Sequence, residues 1–150
     1  MPDDLEIRLR RLEAAEAARG LRAEYAYACD EGFDGRRIAS LFVEDGVIDY
    51  GAAGRHVGRD AIAAYFDPVP EYLTWCVHVL GSSRIVVDDD AQGASGSWYF
   101  FEPCTMNGEA KWVIGAYEDR YRVDSDGRWR FAEVVLKSSV TAPYQSGWPV

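Results

Sequence analysis

Histidine, paired cysteine and clustered positive charge are scarce in this chain, and each scarcity removes a class of function. Two histidines and three cysteines without a C-x-x-C pair do not provide the ligand spacing of a zinc site or a disulfide framework. Unpaired thiols indicate a reducing, cytoplasmic setting. A net charge of −9 without a basic run disfavours nucleic acid and anionic membrane surfaces as partners.

Long apolar runs and internal repeats are also missing. No stretch approaches the ~18 consecutive apolar residues of a membrane span, and the first residues lack the charged-then-apolar pattern of a signal peptide. Hydrophobic residues make up 48% and aromatic residues 13% of the 150 positions, which is enough for one domain with a core. We therefore expect a single domain over residues 1–150, and its aromatic content leaves room for an aromatic-lined pocket.

Helical periodicity dominates the first part of the chain. The spacing of apolar residues predicts one long helix from about residue 4 to about residue 31, closed by Gly32. The shorter elements predicted after it are a helix that begins at Asp34 and carries Ile38, Leu41 and Phe42 on one face, strands over 47–50 and 55–58, and a helix over 60–66.

Beyond Pro70 the pattern changes to the alternation that is typical of β-strands. Helices first and antiparallel strands second predict an α+β domain in which a bent sheet wraps the long helix. We expect a cone-shaped α+β barrel, with the N-terminal helices packed in a highly curved antiparallel or mixed sheet and a ligand at the open end. The predicted strands are 73–87, 92–103, 111–123 and 128–138, followed by a C-terminal tail over 139–150.

Two side chains are candidates for chemistry: Asp30 at the end of the long helix and His78 in the first long strand. The helix dipole disfavours a carboxylate at that end, which favours a separate purpose for Asp30. An imidazole takes up and returns a proton near neutral pH, and a carboxylate on its other nitrogen fixes the tautomer and stabilises the imidazolium. We therefore predict an Asp30–His78 acid/base dyad. The alternative is a core histidine bonded to a backbone carbonyl and a helix-end aspartate without a role.

Strand alternation predicts which side chains share the cone interior with His78. Cys76 lies on the same face of its strand. On the next strand Trp98, Phe100 and Glu102 share a face, which we expect to point inward because Glu102 then falls near the dyad. A buried glutamate next to an apolar wall is a second acid/base group, because burial raises the pKa of a carboxyl. The alternative is a rim residue next to Pro103.

Two tyrosines are candidates for the phenol that stabilises a developing oxyanion. Tyr50 ends a short predicted strand and is the first choice; its alternative is packing at the sheet edge. Tyr27 lies three residues before Asp30, on the same helical face, and is the second choice for a phenol in the pocket.

Four short segments carry a family resemblance by their order and spacing: Tyr25–Asp30, Ile38–Gly46, Gly58–Ile62 and Asp126–Phe131. Together they resemble the SnoaL-like branch of the nuclear-transport-factor-2-like superfamily. The resemblance covers roughly residues 5–138 and is nearest to the scytalone dehydratase and hexachlorocyclohexane dehydrochlorinase branch. This fold hosts many reactions, so the resemblance is more specific for the fold than for the chemistry.

The resemblance implies roles for three of the candidate residues. Asp30 and His78 match the catalytic aspartate and histidine of both enzymes, and Tyr50 matches a tyrosine that polarises a substrate carbonyl through water. Glu102 stands near the place of the dehydratase's second histidine. The segment Glu133–Val135 offers no counterpart to the arginine of the dehydrochlorinase, so the substrate of neither enzyme is implied.

These residues together predict a cofactor-independent lyase without a metal. It would be a dehydratase, or catalyse a related elimination, on a hydrophobic cyclic or aromatic small molecule. A retro-aldol cleavage, or a proton-shifting isomerase or cyclase, would use the same groups. A non-catalytic ligand-binding or assembly module is the alternative of another class. Apolar residues on the outer face of the sheet predict a homo-oligomer, and the resemblance favours a trimer over a dimer.

Overall fold

One long helix, α1 (Pro2–Asp30), runs along the inside of the sheet. The computed structural model describes residues 2–148, and the side chains of all of these except residues 2, 3, 138 and 139. The second half of α1 buries Ala18, Arg22, Tyr25 and Cys29, which recur at helical spacing on one face. Gly32 follows with a φ of 116°, a conformation that ends the helix without the steric penalty of a side chain.

The shorter helical elements pack in different places: α2 (Gly35–Ser40) lies against α1 and against α3 (Arg59–Phe66), and α3 also packs on the first strand. Asp34 caps α2, because its carboxylate accepts a hydrogen bond of 3.0 Å from the backbone N–H of Arg37. Phe42, predicted on this helix, instead begins the first strand, where it pairs with Phe131. The elements are α2 (Gly35–Ser40), a single 3-10 turn (Gly51–Ala53), α3 (Arg59–Phe66) and α4 (Val69–Tyr72).

The described strands form one mixed sheet with the order β2-β1-β7-β6-β5-β3, in which β4 also pairs with β5. The pair β1–β7 is parallel and the other pairs are antiparallel. The sheet curls around α1 without closing into a barrel, so the predicted α+β fold is confirmed with an open sheet. The strands are β1 (Phe42–Asp49), β2 (Arg55–Val57), β3 (Leu73–Cys76), β4 (Val79–Val87), β5 (Gly93–Met106), β6 (Glu109–Val123) and β7 (Trp129–Pro143).

Several strand predictions differ from the structure: the strand predicted over 47–50 begins at Phe42, and the strand predicted over 92–103 continues to Met106. The strand predicted over 73–87 is interrupted at residues 77 and 78, so His78 lies in a break between β3 and β4 and not on a strand. The strand predicted to end at residue 138 continues to Pro143, because β6 provides partners as far as Lys111. The first residues of the predicted tail therefore belong to β7.

A charged pair lies at the centre of the core. The Arg22 Nε donates a 3.0 Å hydrogen bond to Asp119 Oδ2, and its Nη2 donates to Asp119 Oδ1. The Tyr121 hydroxyl donates to the same carboxylate at 2.6 Å, and the Trp98 indole donates to the Tyr121 hydroxyl at 3.1 Å. Both members of the ion pair have fully buried side chains. The guanidinium carbon lies 4.1 Å from the centre of the Tyr117 ring, so the cation also stacks on an aromatic face.

The outer face of the sheet exposes large apolar side chains, among them Trp75, Val79 and Tyr99. Such a surface favours self-association. The homo-oligomer, and the trimer in particular, stays a prediction that size-exclusion chromatography with light scattering tests. Among the described helices, none is both long enough and apolar enough to cross a membrane.

At Gly35, α2 and α3 approach too closely for a side chain. A Cβ there would overlap the carbonyl oxygen of Ala63 and lie 2.7 Å from Asp67 Oδ1. We expect Gly35→Ala to lower the free energy of unfolding by about 1–3 kcal/mol, as overpacking does. Gly20→Ala in α1 is the matched control: no described atom lies within 4 Å of the new Cβ, so helix propensity should raise the stability by about 0.5–1 kcal/mol. Urea unfolding measures both, and two shifts of the same sign would contradict the prediction.

Candidate active site

The structure brings Asp30 and His78 into direct contact, although they are 48 residues apart in the sequence. The His78 Nδ1 lies 2.7 Å from Asp30 Oδ1. The same carboxylate accepts the His78 backbone N–H, with distances of 3.0 Å to Oδ1 and 3.1 Å to Oδ2. Since the carboxylate is acceptor-only when ionised, the ring nitrogen that faces it carries a proton. The other ring nitrogen, Nε2, is therefore free to act as a base.

The break between β3 and β4 gives His78 this position. Its backbone N–H bonds to the carboxylate of Asp30, whereas the N–H of Val77 bonds to the carbonyl of Pro103 at 3.2 Å on β5. The carboxylate thus replaces a strand partner and turns the chain. Cys76, the last residue of β3, places its Sγ 3.5 Å from Asp30 Oδ1 and 3.9 Å from His78 Nδ1.

The hydrogen bonds around Asp30 favour its ionised form. Burial works against this and raises the pKa of Asp30, but the hydrogen bonds from the His78 ring and backbone outweigh it. The net result is a pKa below the ordinary value of 3.8. Asp30 is therefore a carboxylate at neutral pH, as an orienting and charge-stabilising partner of an imidazole must be.

Glu102 on β5 faces the other ring nitrogen of His78. Its Oε2 lies 3.9 Å from His78 Nε2. Burial raises the pKa of Glu102 above its ordinary value of 4.5; the charge of His78 lowers it and that of Asp30 raises it, and the net shift is upward. One carboxyl next to the imidazole is thus held ionised and the other is biased toward its protonated form. Such a division of pKa values is the usual basis for separate acid and base roles.

A cavity of about 370 Å³ opens next to these groups, between the helices and the inner face of the sheet. The size suits a small organic molecule. Its wall is mostly aromatic and aliphatic, and it carries the imidazole of His78 and the carboxyl of Glu102. The lining residues are Tyr25, Cys29, Phe33, Tyr50, Ala52, Ala53, Tyr65, Phe66, Val69, Tyr72, Leu73, His78, Phe100, Glu102, Met106, Val113, Tyr117, Leu136 and Thr141.

Two phenols on the cavity wall share a hydrogen bond. The hydroxyl groups of Tyr25, from α1, and Tyr50, which follows β1, contact each other directly. Burial raises the pKa of both phenols well above 10, so both are protonated at neutral pH. The pair holds two O–H hydrogens and uses only one between the two oxygens. The second hydrogen is available to an acceptor in the cavity.

The structure places the other predicted pocket residues in different surroundings. Phe100 lies on the cavity wall, with its ring centre 6.4 Å from that of His78. Tyr27 is 59% exposed, so its predicted place in the pocket is wrong. Trp98 points inward but donates its indole N–H to the Tyr121 hydroxyl outside the cavity, and the Cys76 thiol contacts the Asp30 carboxylate. Neither of these two is part of the wall, and both predictions are corrected accordingly.

The buried stripe of α1 explains both the error at Tyr27 and the residues that sequence reasoning missed. The prediction for Tyr27 assumes that Asp30 lies at the centre of the buried face of α1. The Asp30 side chain instead lies at the edge of that face and is 21% exposed. The face is centred on Tyr25 and Cys29, both of which line the cavity. Their spacing from Ala18 was the available signal, because these positions share one face of a helix.

The raised pKa of Glu102 makes the stability of the protein depend on pH. The group ionises near 4.5 when unfolded and at a higher pH when folded, so its stabilising effect is full below pH 4.5 and is lost as the pH rises through the folded pKa. We expect Glu102→Gln to gain stability relative to the wild type as the pH rises from about 4 to about 8, because glutamine does not ionise. Urea unfolding across this range measures the difference, with the exposed Glu118→Gln as the control for loss of a charge. A constant difference for Glu102→Gln would contradict the prediction.

Comparison with known proteins agrees with this architecture. The chain is similar to a scytalone dehydratase-like protein of Novosphingobium aromaticivorans DSM 12444, with 22% identity, coverage of 96% of this chain and 92% of that one, and a TM-score of 0.74. It is also similar to the hexachlorocyclohexane dehydrochlorinase LinA-type3 from Novosphingobium barchaimii LL02, with 18% identity, coverage of 95% and 97%, and a TM-score of 0.81. At these identities the likeness shows the fold.

A third solved structure is an NTF2-like protein with a cystatin-like fold from Novosphingobium aromaticivorans. It has 26% identity, coverage of 97% of this chain and 91% of that one, and a TM-score of 0.75. No curated protein matches the sequence significantly. The profile of the SnoaL-like domain matches residues 10–135, which is most of the chain. The chain therefore belongs to the SnoaL-like domain family.

Proposed function

We propose that the protein is a cofactor-independent lyase that eliminates water, or a related small group, from a hydrophobic cyclic or aromatic substrate. The observation that carries this proposal is the arrangement around His78. One ring nitrogen is held by the Asp30 carboxylate at 2.7 Å, and the other faces the cavity and lies 3.9 Å from the Glu102 carboxyl. An oriented base, His78, and a candidate acid, Glu102, thus lie next to each other in the wall of an apolar cavity.

In the proposed reaction, His78 Nε2 removes a proton from a carbon next to the substrate carbonyl. The electrons of that C–H bond form the new C=C bond as the neighbouring C–O bond breaks. Protonated Glu102 gives its proton to the departing oxygen, so the product is water and an unsaturated ring. The imidazolium left on His78 is stabilised by Asp30, and its Nε2 proton returns to the Glu102 carboxylate. The cycle therefore needs no external acid, base or cofactor.

The apolar cavity and the phenol pair assist this step in different ways. The aromatic wall, which includes Phe33 and Phe100 next to His78, limits water around the base. The free hydrogen of the Tyr25–Tyr50 pair binds the carbonyl oxygen, on which negative charge grows when the carbon loses its proton. The fold thus provides the base, the acid and the oxyanion donor from separate elements.

Removal of one phenol tests the oxyanion assignment. We expect Tyr50→Phe to lower kcat about 100-fold, the usual effect of losing one oxyanion donor. Tyr27→Phe is the matched control, because this tyrosine lies only two residues from Tyr25 on the same helix but is 59% exposed. Steady-state kinetics on one substrate compares the two variants. Equal activities for Tyr50→Phe and the wild type would remove Tyr50 from the mechanism.

A substrate panel tests the proposal itself. Cyclic β-hydroxy ketones and benzylic alcohols are incubated with the protein, and the conjugated product is followed by its ultraviolet absorbance. The same mixtures in D₂O are followed by NMR for exchange of the carbon-bound proton. Elimination with exchange supports the lyase, whereas exchange or a moved double bond without elimination would assign a proton-shifting isomerase. Tight binding of these ring compounds with neither elimination nor exchange would favour a ligand-binding module.

A further inference from the structure

The geometry points to a second function of the residues around the catalytic base. We propose that Asp30, Cys76 and His78 form a zinc site, and that a bound zinc ion prevents His78 from acting as a base. Each of the three residues offers one ligand atom, and these atoms lie within 4.8 Å of one another. They are an oxygen, a sulfur and a nitrogen, which is a donor set that zinc accepts. The sequence did not predict this site, because its ligands come from α1, the end of β3 and the break that follows.

Two of the three distances among the donor atoms are close to those around a tetrahedral zinc ion. With zinc bonds of about 2.0–2.3 Å, the ligand atoms lie about 3.3–3.6 Å apart. The observed distances are 3.5 Å from Cys76 Sγ to Asp30 Oδ1 and 3.9 Å from Cys76 Sγ to His78 Nδ1. The distance from Nδ1 to Oδ1 is 2.7 Å, because a proton occupies the space between them. Replacing that proton by a metal requires this one pair of atoms to move apart.

The surroundings supply the outer contacts that a zinc-bound histidine needs. A histidine that binds metal usually donates its other ring N–H to a carboxylate or a carbonyl. Here the other ring nitrogen of His78 faces Glu102 Oε2 at 3.9 Å, within reach after a small rotation. The Asp30 side chain is 21% exposed, which leaves an edge of the site open to solvent for the ion and a fourth, water ligand.

The proton balance explains why zinc and the base exclude each other. In the metal-free site the Nδ1 proton of His78 points at Asp30 and Nε2 is free. When zinc takes Nδ1, that proton moves to Nε2, and the imidazole can no longer accept a proton there. Zinc binds the thiolate form of a cysteine, so the Cys76 thiol releases its proton to solvent as the ion binds. Zinc binding itself rests on geometry alone; only its effect on catalysis rests on the proposed function.

Cobalt(II) serves as the spectroscopic probe, because a thiolate ligand gives a charge-transfer band and tetrahedral cobalt gives intense visible bands. Cobalt chloride is titrated into the reduced protein, and zinc sulfate is then added to displace it. Cys76→Ser is the test variant, since a hydroxyl keeps a donor for Asp30 but is a poor zinc ligand. Cys104→Ser is the matched control: it lies directly opposite Cys76 in the β3–β5 pair and is also buried. Circular dichroism checks that each variant is folded.

We expect one cobalt ion per chain with a thiolate band in the wild type and in Cys104→Ser, and loss of both band and tight binding in Cys76→Ser. The affinity for zinc should fall by more than about 100-fold, because even outer contacts of a metal site change affinity by 10–100-fold. If Cys76→Ser is unfolded, His78→Ala provides the same test. No thiolate band in the wild type, or a band that survives Cys76→Ser, would overturn the site. A protein that binds cobalt through Cys76 but has no lyase activity would leave the site intact and overturn the proposed function.

Discussion

Asp30→Asn should lower kcat/KM for the proposed elimination by about 10⁴-fold, the effect known when an amide replaces the carboxylate that orients a catalytic histidine. The backbone N–H of His78 needs an acceptor, so the amide oxygen stays with it. The amide NH₂ then faces the ring and requires an unprotonated Nδ1. The proton moves to Nε2, where it blocks the base. The carboxylate charge that would stabilise the imidazolium is also lost.

The nitrogen-15 spectrum of the His78 ring separates this cause from a general loss of structure. The wild type should show Nδ1–H, and Asp30→Asn should show Nε2–H with unchanged circular dichroism. Asp89→Asn is the matched control. It removes the same charge, but Asp89 lies exposed in the hairpin between β4 and β5. Activity of Asp30→Asn within about tenfold of the wild type would show that the carboxylate does not set the tautomer, and the mechanism would fail.

Local patterns were sufficient to predict most of the order of the elements. The apolar stripe of α1 and the alternation of the later strands have fixed periods, which specify which face is buried. The inward face of β5, with Phe100 and Glu102, follows from the same alternation. The prediction that Asp30 contacts His78 also needed the family resemblance, because nothing in the spacing of two residues 48 positions apart shows that they meet.

The features that the sequence did not show depend on contacts between distant segments. The break at His78 exists because a carboxylate from α1 takes a backbone N–H that strand pairing would otherwise use. Alternation also fails at the start of β3, where the register shifts between Leu73 and Trp75 and Thr74 is exposed. The zinc site has the same origin, since its three donor atoms meet only after this break forms. Such contacts are invisible to a periodic pattern.

The sequence also did not predict the buried ion pair of Arg22 and Asp119. Charged residues on a helix and on a strand are usually solvated, so a pair 97 residues apart gave no reason to expect burial. The structure buries both completely and stacks the guanidinium on Tyr25 and Tyr117, two residues of the cavity wall. Burial alone would lower the pKa of Arg22, but the Asp119 carboxylate outweighs it and holds the pKa above its usual value. The pair is therefore a charged support directly behind the cavity.

Loss of one partner should be far more damaging than loss of both. We expect Arg22→Met to lower the free energy of unfolding by about 3–5 kcal/mol, because it leaves a buried carboxylate without its cation. The double variant Arg22→Met/Asp119→Leu should recover most of this, since apolar residues of similar size remove both desolvation penalties. The Tyr121 hydroxyl loses its acceptor in the double variant, so a deficit of about 1 kcal/mol should remain.

Urea unfolding of the three proteins gives these values, with Arg10→Met as the matched control on the same helix. Arg10 also has a carboxylate partner, Glu6, but both side chains are 62% exposed, so its loss should change stability by less than about 1 kcal/mol. A double variant as unstable as Arg22→Met would show that the arginine acts through its stacking on the tyrosines and not through Asp119. Recovery of stability in the double variant would instead show that the core tolerates each of these charges only because the other compensates it.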